Sequence, residues 1–124
     1  MYEFFDLEED GSLKLPHKFR FHWELSYDMK LAKQMLVKKF NDKGFTTNIP
    51  EIEGCFFASN GFRCFNIDFG EVMFNIPAVF IREKRPDCTD AGAILFHNVS
   101  VKWLVKETME WLENIRDKND DHAV

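Results

Sequence analysis

Alternating apolar and polar residues between positions 52 and 76 constrain the fold of this chain more than any other feature. Asn60-Gly61 is typical of a two-residue hairpin turn, and Gly70-Glu71 can form a second tight turn. The first turn pairs Phe56 with Phe65, and the second pairs Phe65 with Ile76, so both registers predict one apolar face. The residues on that face are Ile52, Phe56, Phe65, Ile67, Phe69, Val72, Phe74 and Ile76. The prediction is a three-stranded antiparallel meander, whose other face carries Glu53, Cys55, Asn66, Asp68 and Asn75.

Phenylalanine is unusually frequent, with 14 residues among 124, and it supplies much of this apolar face. Hydrophobic residues make up 45% of the chain and charged residues 30%, which is the balance of a globular protein and excludes intrinsic disorder. A chain of this length is expected to form a single domain, here residues 1–124 with a frayed tail at 118–124. The phenylalanine excess therefore indicates a core and not a ligand site.

Further strands are predicted on both sides of the meander. Residues 2–15 indicate a hairpin around the turn signal Asp10-Gly11, and residues 19–25 alternate apolar and polar side chains with period two. After the meander, residues 82–92 are predicted to form a polar loop and residues 93–99 another strand.

Two amphipathic helices complete the prediction. Ser26 is a favourable N-cap for the first helix, and Gly44 is a typical residue after its end. The apolar side of this helix comprises Leu31, Ala32, Met35, Leu36 and Phe40, and its lysines Lys30, Lys33 and Lys38 lie mostly on the other side. Ser100 is expected to cap the second helix, whose apolar stripe comprises Val101, Leu104, Val105, Thr108, Trp111, Leu112 and Ile115. The predicted fold class is α+β: an antiparallel sheet (N-terminal hairpin, one strand, three-stranded meander, one further strand) with two helices packed on its Phe-rich face.

The charge is unevenly distributed along the chain. The formal net charge is −5. All five charged residues among positions 1–10 are acidic, whereas residues 18–43 contain seven basic and three acidic residues. Three cysteines, an odd number, favour free thiols in a reducing compartment, and the acidic N-terminus does not resemble a signal peptide. With no stretch of 18 apolar residues to cross a membrane, a cytoplasmic location is expected.

No catalytic, metal or cofactor signature is complete, so none of these sites is predicted. Acidic residues at positions 6, 8 and 10 with Gly11 follow the spacing of a calcium-binding loop, but His17 occupies the position of its bidentate glutamate. His22-x-Glu24 matches half of a zinc deaminase motif, and its cysteine pair is missing. Cys88, flanked by basic residues, is the best candidate for a reactive thiol, with His97 or His22 as its base.

The residues instead favour a small non-enzymatic protein that acts by binding another protein, such as an inhibitor, an immunity-type factor, a chaperone-like protein or a phage accessory protein. Trp103 falls opposite the apolar stripe of the second helix, and an exposed tryptophan is typical of an interface anchor; the alternative is that it packs under a loop or a chain end. Its expected neighbours on the contact surface are Arg82, Lys84 and Arg85. Lys30, Lys33 and Lys38 could meet an acidic partner or simply water.

Two other functions follow from the same residues. The lysines of the first helix, extended by Lys39, could contact a nucleic-acid backbone, although the net charge and the lack of interleaved aromatic residues argue against it. A small thiol- or histidine-dependent hydrolase would require Cys88 to lie close to His97 or His22. An edge strand left by the meander also provides a route to homo-oligomers.

Overall fold

The computed structural model describes residues 2–4, 19–72, 75–84, 91–96 and 100–122. These residues form seven strands and two helices: β1 (Tyr2–Phe4), β2 (Arg20–Phe21), α1 (Tyr27–Asp42), β3 (Thr46–Asn48), β4 (Cys55–Ser59), β5 (Cys64–Val72), β6 (Ile76–Lys84), β7 (Ala91–Phe96) and α2 (Val101–His122). Every strand pair is antiparallel, and the sheet order is β1-β7-β6-β5-β4-β3, with β2 paired to β5 outside this path. The predicted α+β fold class is confirmed.

The sheet has two unequal faces. On the helix face, the side that α1 and α2 cover, the main core brings together both helices and alternate residues of β4 to β7. A smaller cluster lies on the opposite face and comprises Val72, Ala78, Phe80, Ile94 and Phe96, with Phe19 and Ile76 packed against it. Among the described residues, the helix face therefore holds more of the buried apolar side chains than the opposite face, and with them more of the hydrophobic stabilisation.

Helix α1 begins and ends as predicted. The hydroxyl of Ser26 accepts a hydrogen bond from the backbone N–H of Met29 at 3.4 Å, and Gly44 adopts a φ of 90°, which favours glycine at a helix end. The buried side comprises Met29, Ala32, Leu36 and Phe40. Leu31 and Met35 were predicted on that side but are 40% and 36% exposed, because the helix packs along a line centred on Ala32 and Leu36.

The β4–β5 hairpin keeps its predicted face but not its predicted register. Phe56 pairs with Ile67 instead of Phe65, because a four-residue loop, residues 60–63, replaces the two-residue turn. The side-chain oxygen of Asn60 accepts hydrogen bonds from the backbone N–H groups of Phe62 and Arg63, at 2.9 and 2.7 Å, which closes the longer loop. A shift of two residues preserves the face. Ile52, predicted in this strand, lies before β4 and is partly exposed.

The predicted turn at Gly70-Glu71 is wrong. Strand β5 continues through both residues to Val72, which pairs with Ile76, and Phe65 pairs with Glu83 instead of Ile76. A Cβ atom on Gly70 would lie 2.1 Å from the backbone oxygen of Arg20, so glycine at this position admits the close approach of β2. The shift is an odd number of residues, which moves Val72 and Ile76 to the opposite face. Phe74 and its predicted place on the Phe-rich face lie outside the described residues.

Two predicted boundaries also change. Arg82, assigned to a polar loop, belongs with the two residues after it to β6, which ends at Lys84. The strand predicted over 19–25 is limited to Arg20–Phe21, because Gly54 occupies the next place on the edge of β5 and accepts a hydrogen bond from Phe69 N–H at 2.8 Å. Trp23, one of the alternating apolar residues of that predicted strand, is 66% exposed as a result.

The remaining predictions concern the two ends of the chain. Strand β1 pairs with β7, while the turn and second strand of the predicted N-terminal hairpin lie outside the described residues. Helix α2 begins directly after Ser100, buries most of its predicted stripe and extends to His122, which includes part of the tail predicted to fray. Within the described part of the chain, neither helix combines the length and the apolar character needed to cross a bilayer.

Candidate functional site

A groove of about 540 Å³ lies along α1. One wall is the side of α1 that carries the predicted lysines, and the other is the segment between β3 and β4. We call it the cationic groove; its lining residues are Leu25, Lys30, Lys33, Gln34, Val37, Lys38, Asn41, Ile49 and Glu53. Lys30, Lys33 and Lys38, predicted from the helical pattern alone, are thus brought together around one cavity.

Glu53 organises the wall that faces α1. Its carboxylate accepts a hydrogen bond from the backbone N–H of Leu25 at 2.9 Å and lies 3.4 Å from the Lys30 ammonium. Its backbone oxygen accepts a hydrogen bond from the ammonium of Lys33 at 2.7 Å. The bond from Leu25 and the nearby Lys30 charge together lower the pKa of Glu53 below its usual range. These contacts connect α1 to the segment before β4 and keep the groove in shape.

The groove combines an excess of positive charge with apolar surface. Three lysines line it against the single carboxylate of Glu53, although the whole chain has a net charge of −5. Burial lowers the pKa of Lys33, the most enclosed of the three, and nearby Cys55 and Glu53 partly offset that effect. Among the apolar lining residues, Leu25 is buried and Ile49 is 56% exposed. The groove is therefore suited to a ligand that offers both carboxylates and apolar side chains.

The contact surface predicted around Trp103 is not a single surface. Trp103 is 49% exposed on α2, where the ammonium of Lys106 lies 4.3 Å from the centre of its ring. Arg82 lies on the opposite face of the sheet, with its guanidinium over the ring of Phe80, and Lys84 follows two residues later on the same face. Arg85 lies outside the described residues. The sheet therefore separates Trp103 from Arg82 and Lys84.

The thiols and histidines of the described residues do not converge on a site. Cys55 is buried against Asp68 on the neighbouring strand, and burial, followed by the charge of Asp68, raises the pKa of its thiol. Cys64 pairs with Ser59 at the other end of the hairpin, and His22 lies 3.5 Å from Glu71. Cys88 and His97 lie outside the described residues, as does the calcium-like segment. Among residues that the structure describes, no group of three or more metal-ligating side chains is placed to hold an ion.

Sequence reasoning did not find the wall opposite the lysines. Glu53 was predicted on the polar face of the meander, and Ile49 was assigned no role. Both lie in the connection between β3 and β4, where no periodic pattern predicts which way a side chain points. The one available signal was Pro50 beside Ile49, which marks a break between two extended segments.

Comparison of the chain with protein-family models, with curated proteins and with solved structures finds no match.

Proposed function

We propose that this protein is a non-enzymatic binding factor that holds an acidic segment of another protein in the cationic groove. The observation that carries the proposal is the placement of Lys30, Lys33 and Lys38 around one cavity with apolar lining residues. Inhibitors, immunity-type factors, chaperone-like proteins and phage accessory proteins all act by such direct association, and the groove supplies a place for it.

Electrostatics favours an acidic partner. The side chains of Lys30 and Lys38 are 52% and 81% exposed, so a partner's carboxylates can reach both ammonium groups from solvent. The side chains of their present carboxylate neighbours, Glu53 and Asp42, are 41% and 65% exposed, and ion pairs in contact with solvent contribute little stability. Exchanging such contacts for those of a partner therefore costs little, and the positive potential speeds association.

The apolar lining adds affinity that charge alone does not provide. Ile49 is more than half exposed beside the partly buried Val37, so a bound apolar side chain would remove surface of both residues from water. Burying the remaining surface of one such side chain stabilises a complex by about 1 kcal/mol. This contribution favours a protein segment over a simple polyanion, since a phosphate backbone presents no apolar groups to the groove.

The test is selection of ligands from a phage-displayed library of random peptides. Selection on the wild-type protein should enrich peptides that contain both acidic and large apolar residues. The selected peptides should bind a Lys30→Glu, Lys38→Glu double variant at least about tenfold more weakly, as measured by fluorescence anisotropy.

The matched control is a Lys39→Glu, Lys102→Glu double variant, which makes the same change in net charge at exposed positions outside the groove. It should retain the wild-type affinity. Equal loss in both variants would mean that overall charge, and not the groove, governs binding. Displacement of the peptides by single-stranded DNA of equal length would favour the nucleic-acid alternative.

A further inference from the structure

We infer that the acidic segment binds in an extended conformation and adds a strand to the sheet along β3, an inference that rests on the proposed function. Strand β3 is the last strand of the sheet order at the side of the groove. Among the described residues, β4 is its one hydrogen-bonded neighbour. A peptide that pairs with β3 would gain backbone hydrogen bonds in addition to contacts with the lysines.

The groove adjoins β3. The hydroxyl of Thr47, in the middle of β3, lies 3.2 Å from the side-chain oxygen of Asn41, which lines the groove on α1. Ile49, on the other wall, directly follows the end of β3 at Asn48. A chain lying in the groove is therefore within reach of the edge of the sheet.

The composition of β3 also favours pairing. Natural edge strands commonly carry a charged residue or proline that prevents a further strand from adding. Strand β3 consists of Thr46, Thr47 and Asn48 and has neither feature. The edge next to the groove thus lacks this protection.

The dimensions of the groove define the length of the ligand. The lining residues of α1 extend from Lys30 to Asn41, which corresponds to about 16 Å along a helix axis. An extended chain covers that distance with about five residues. Side chains of an added strand alternate between the two faces, and Thr47 faces α1, so acidic residues at every second position would lie on the side of the sheet that α1 covers.

The experiment uses a synthetic decapeptide of alternating glutamate and valine, with N-methyl groups on alternate backbone amides in either of two registers. An added strand hydrogen-bonds through one edge, so one methylated register should lose affinity at least about tenfold while the other retains it. Hydrogen exchange at the amides of Thr46–Asn48 should slow when the parent peptide binds. Fluorescence anisotropy compares the affinity of the parent peptide for the wild type and for the Lys30→Glu, Lys38→Glu variant. Weaker binding to the variant places the peptide in the groove.

Each other outcome has a distinct meaning. Suppose that binding of the parent peptide depends on Lys30 and Lys38. If both methylated peptides then bind like the parent, or both lose binding, strand addition is overturned, while the groove remains the binding site. If the parent peptide binds without that dependence, or does not bind, the strand-addition inference fails. If the library also yields no groove-dependent ligand, the proposed function fails with it. A dimer of the free protein that the parent peptide dissociates would assign the β3 edge to a second copy and overturn the inference.

Discussion

The two faces of the sheet are built from the same strands but differ in how their buried residues are stabilised. On the helix face, Phe40 of α1 packs against three other phenylalanine rings. The opposite face has a smaller apolar cluster and carries Asp68 and Arg82 among its strand residues. An acidic residue lies on each face: Glu83 is buried on the helix face, and Asp68 is partly buried on the other. The same strands therefore carry a tightly packed core on one face and a more polar surface on the other, because successive side chains of a strand point to opposite faces.

Truncation of Phe40 should have the largest effect on stability. Its side chain is fully buried, and its ring centre lies 5.3 Å from that of Phe45, 5.9 Å from Phe56 and 5.8 Å from Phe65. Phe40→Ala should lower the free energy of unfolding by about 3–5 kcal/mol, which is a large part of the stability of a small domain. Urea denaturation followed by circular dichroism measures this loss.

The matched variant on the opposite face is Phe80→Ala. Phe80 is nearly as buried but belongs to a smaller cluster, and its ring centre lies 5.6 Å from that of Phe19, with the two ring planes nearly perpendicular. Since a smaller cluster can relax around the cavity more easily, the expected loss is roughly half of that for Phe40→Ala. Equal losses would contradict the view that the helix face is the dominant core.

Removal of the Glu83 carboxylate should cause the next largest loss in the free energy of unfolding. Its carboxylate lies 2.6 Å from Nε of Arg63, the Arg63 side chain is 18% exposed, and its guanidinium lies over the ring of Phe65. Glu83→Ala leaves this largely buried cation without the carboxylate and should cost about 2–3 kcal/mol. The double variant Arg63→Met, Glu83→Leu removes both charges and should recover most of that loss in the same denaturation experiment. Failure of the double variant to recover would show that the pair is not what makes Glu83 necessary.

Neutralisation of Asp68 should have a smaller effect of opposite sign. Burial raises the pKa of Asp68, and the charge of Arg82 only partly offsets this. Because the folded state holds the proton more tightly than the unfolded state, stability declines as the pH rises from the unfolded-state pKa through the folded-state pKa, and it stays at the lower level above both. Asp68→Asn should therefore raise the melting temperature by a few degrees at pH 7, and by progressively less towards pH 4. A lower melting temperature at pH 7 would show that the carboxylate stabilises the opposite face.

The elements that could be predicted from sequence are those whose signals are local. Ser26 and Gly44 define the ends of α1 through contacts within a few residues, and the helical period alone places Lys30 and Lys33 on one side. The stripe of α2, with Trp111 fully buried, follows from the same periodicity. The α1 wall of the cationic groove could therefore be predicted from the sequence alone.

The other half depends on pairings between distant residues. Gly70 has the sequence signature of a turn residue, yet it provides space for the backbone of Arg20, which is far away along the chain. The turn motif was compatible with either use, and the error moved Val72 from one face of the sheet to the other. Arg82 and Trp103 were grouped for the same reason, since the sequence does not show which side of the sheet each residue occupies.

The sequence by itself determined the α+β class, the two amphipathic helices and the lysine side of α1, because each depends on periodicity within one element. Only the tertiary structure decided the strand registers and placed Glu53 and Ile49 opposite the lysines. The physical reason is that an alternating pattern fits every register that differs by an even number of residues, because each of them keeps the same side chains on the same face. A turn predicted from local sequence alone can also shift the register by an odd number and put side chains on the wrong face. The choice among registers is made by contacts between residues far apart in the chain, such as Gly70 with Arg20 and Glu53 with Leu25.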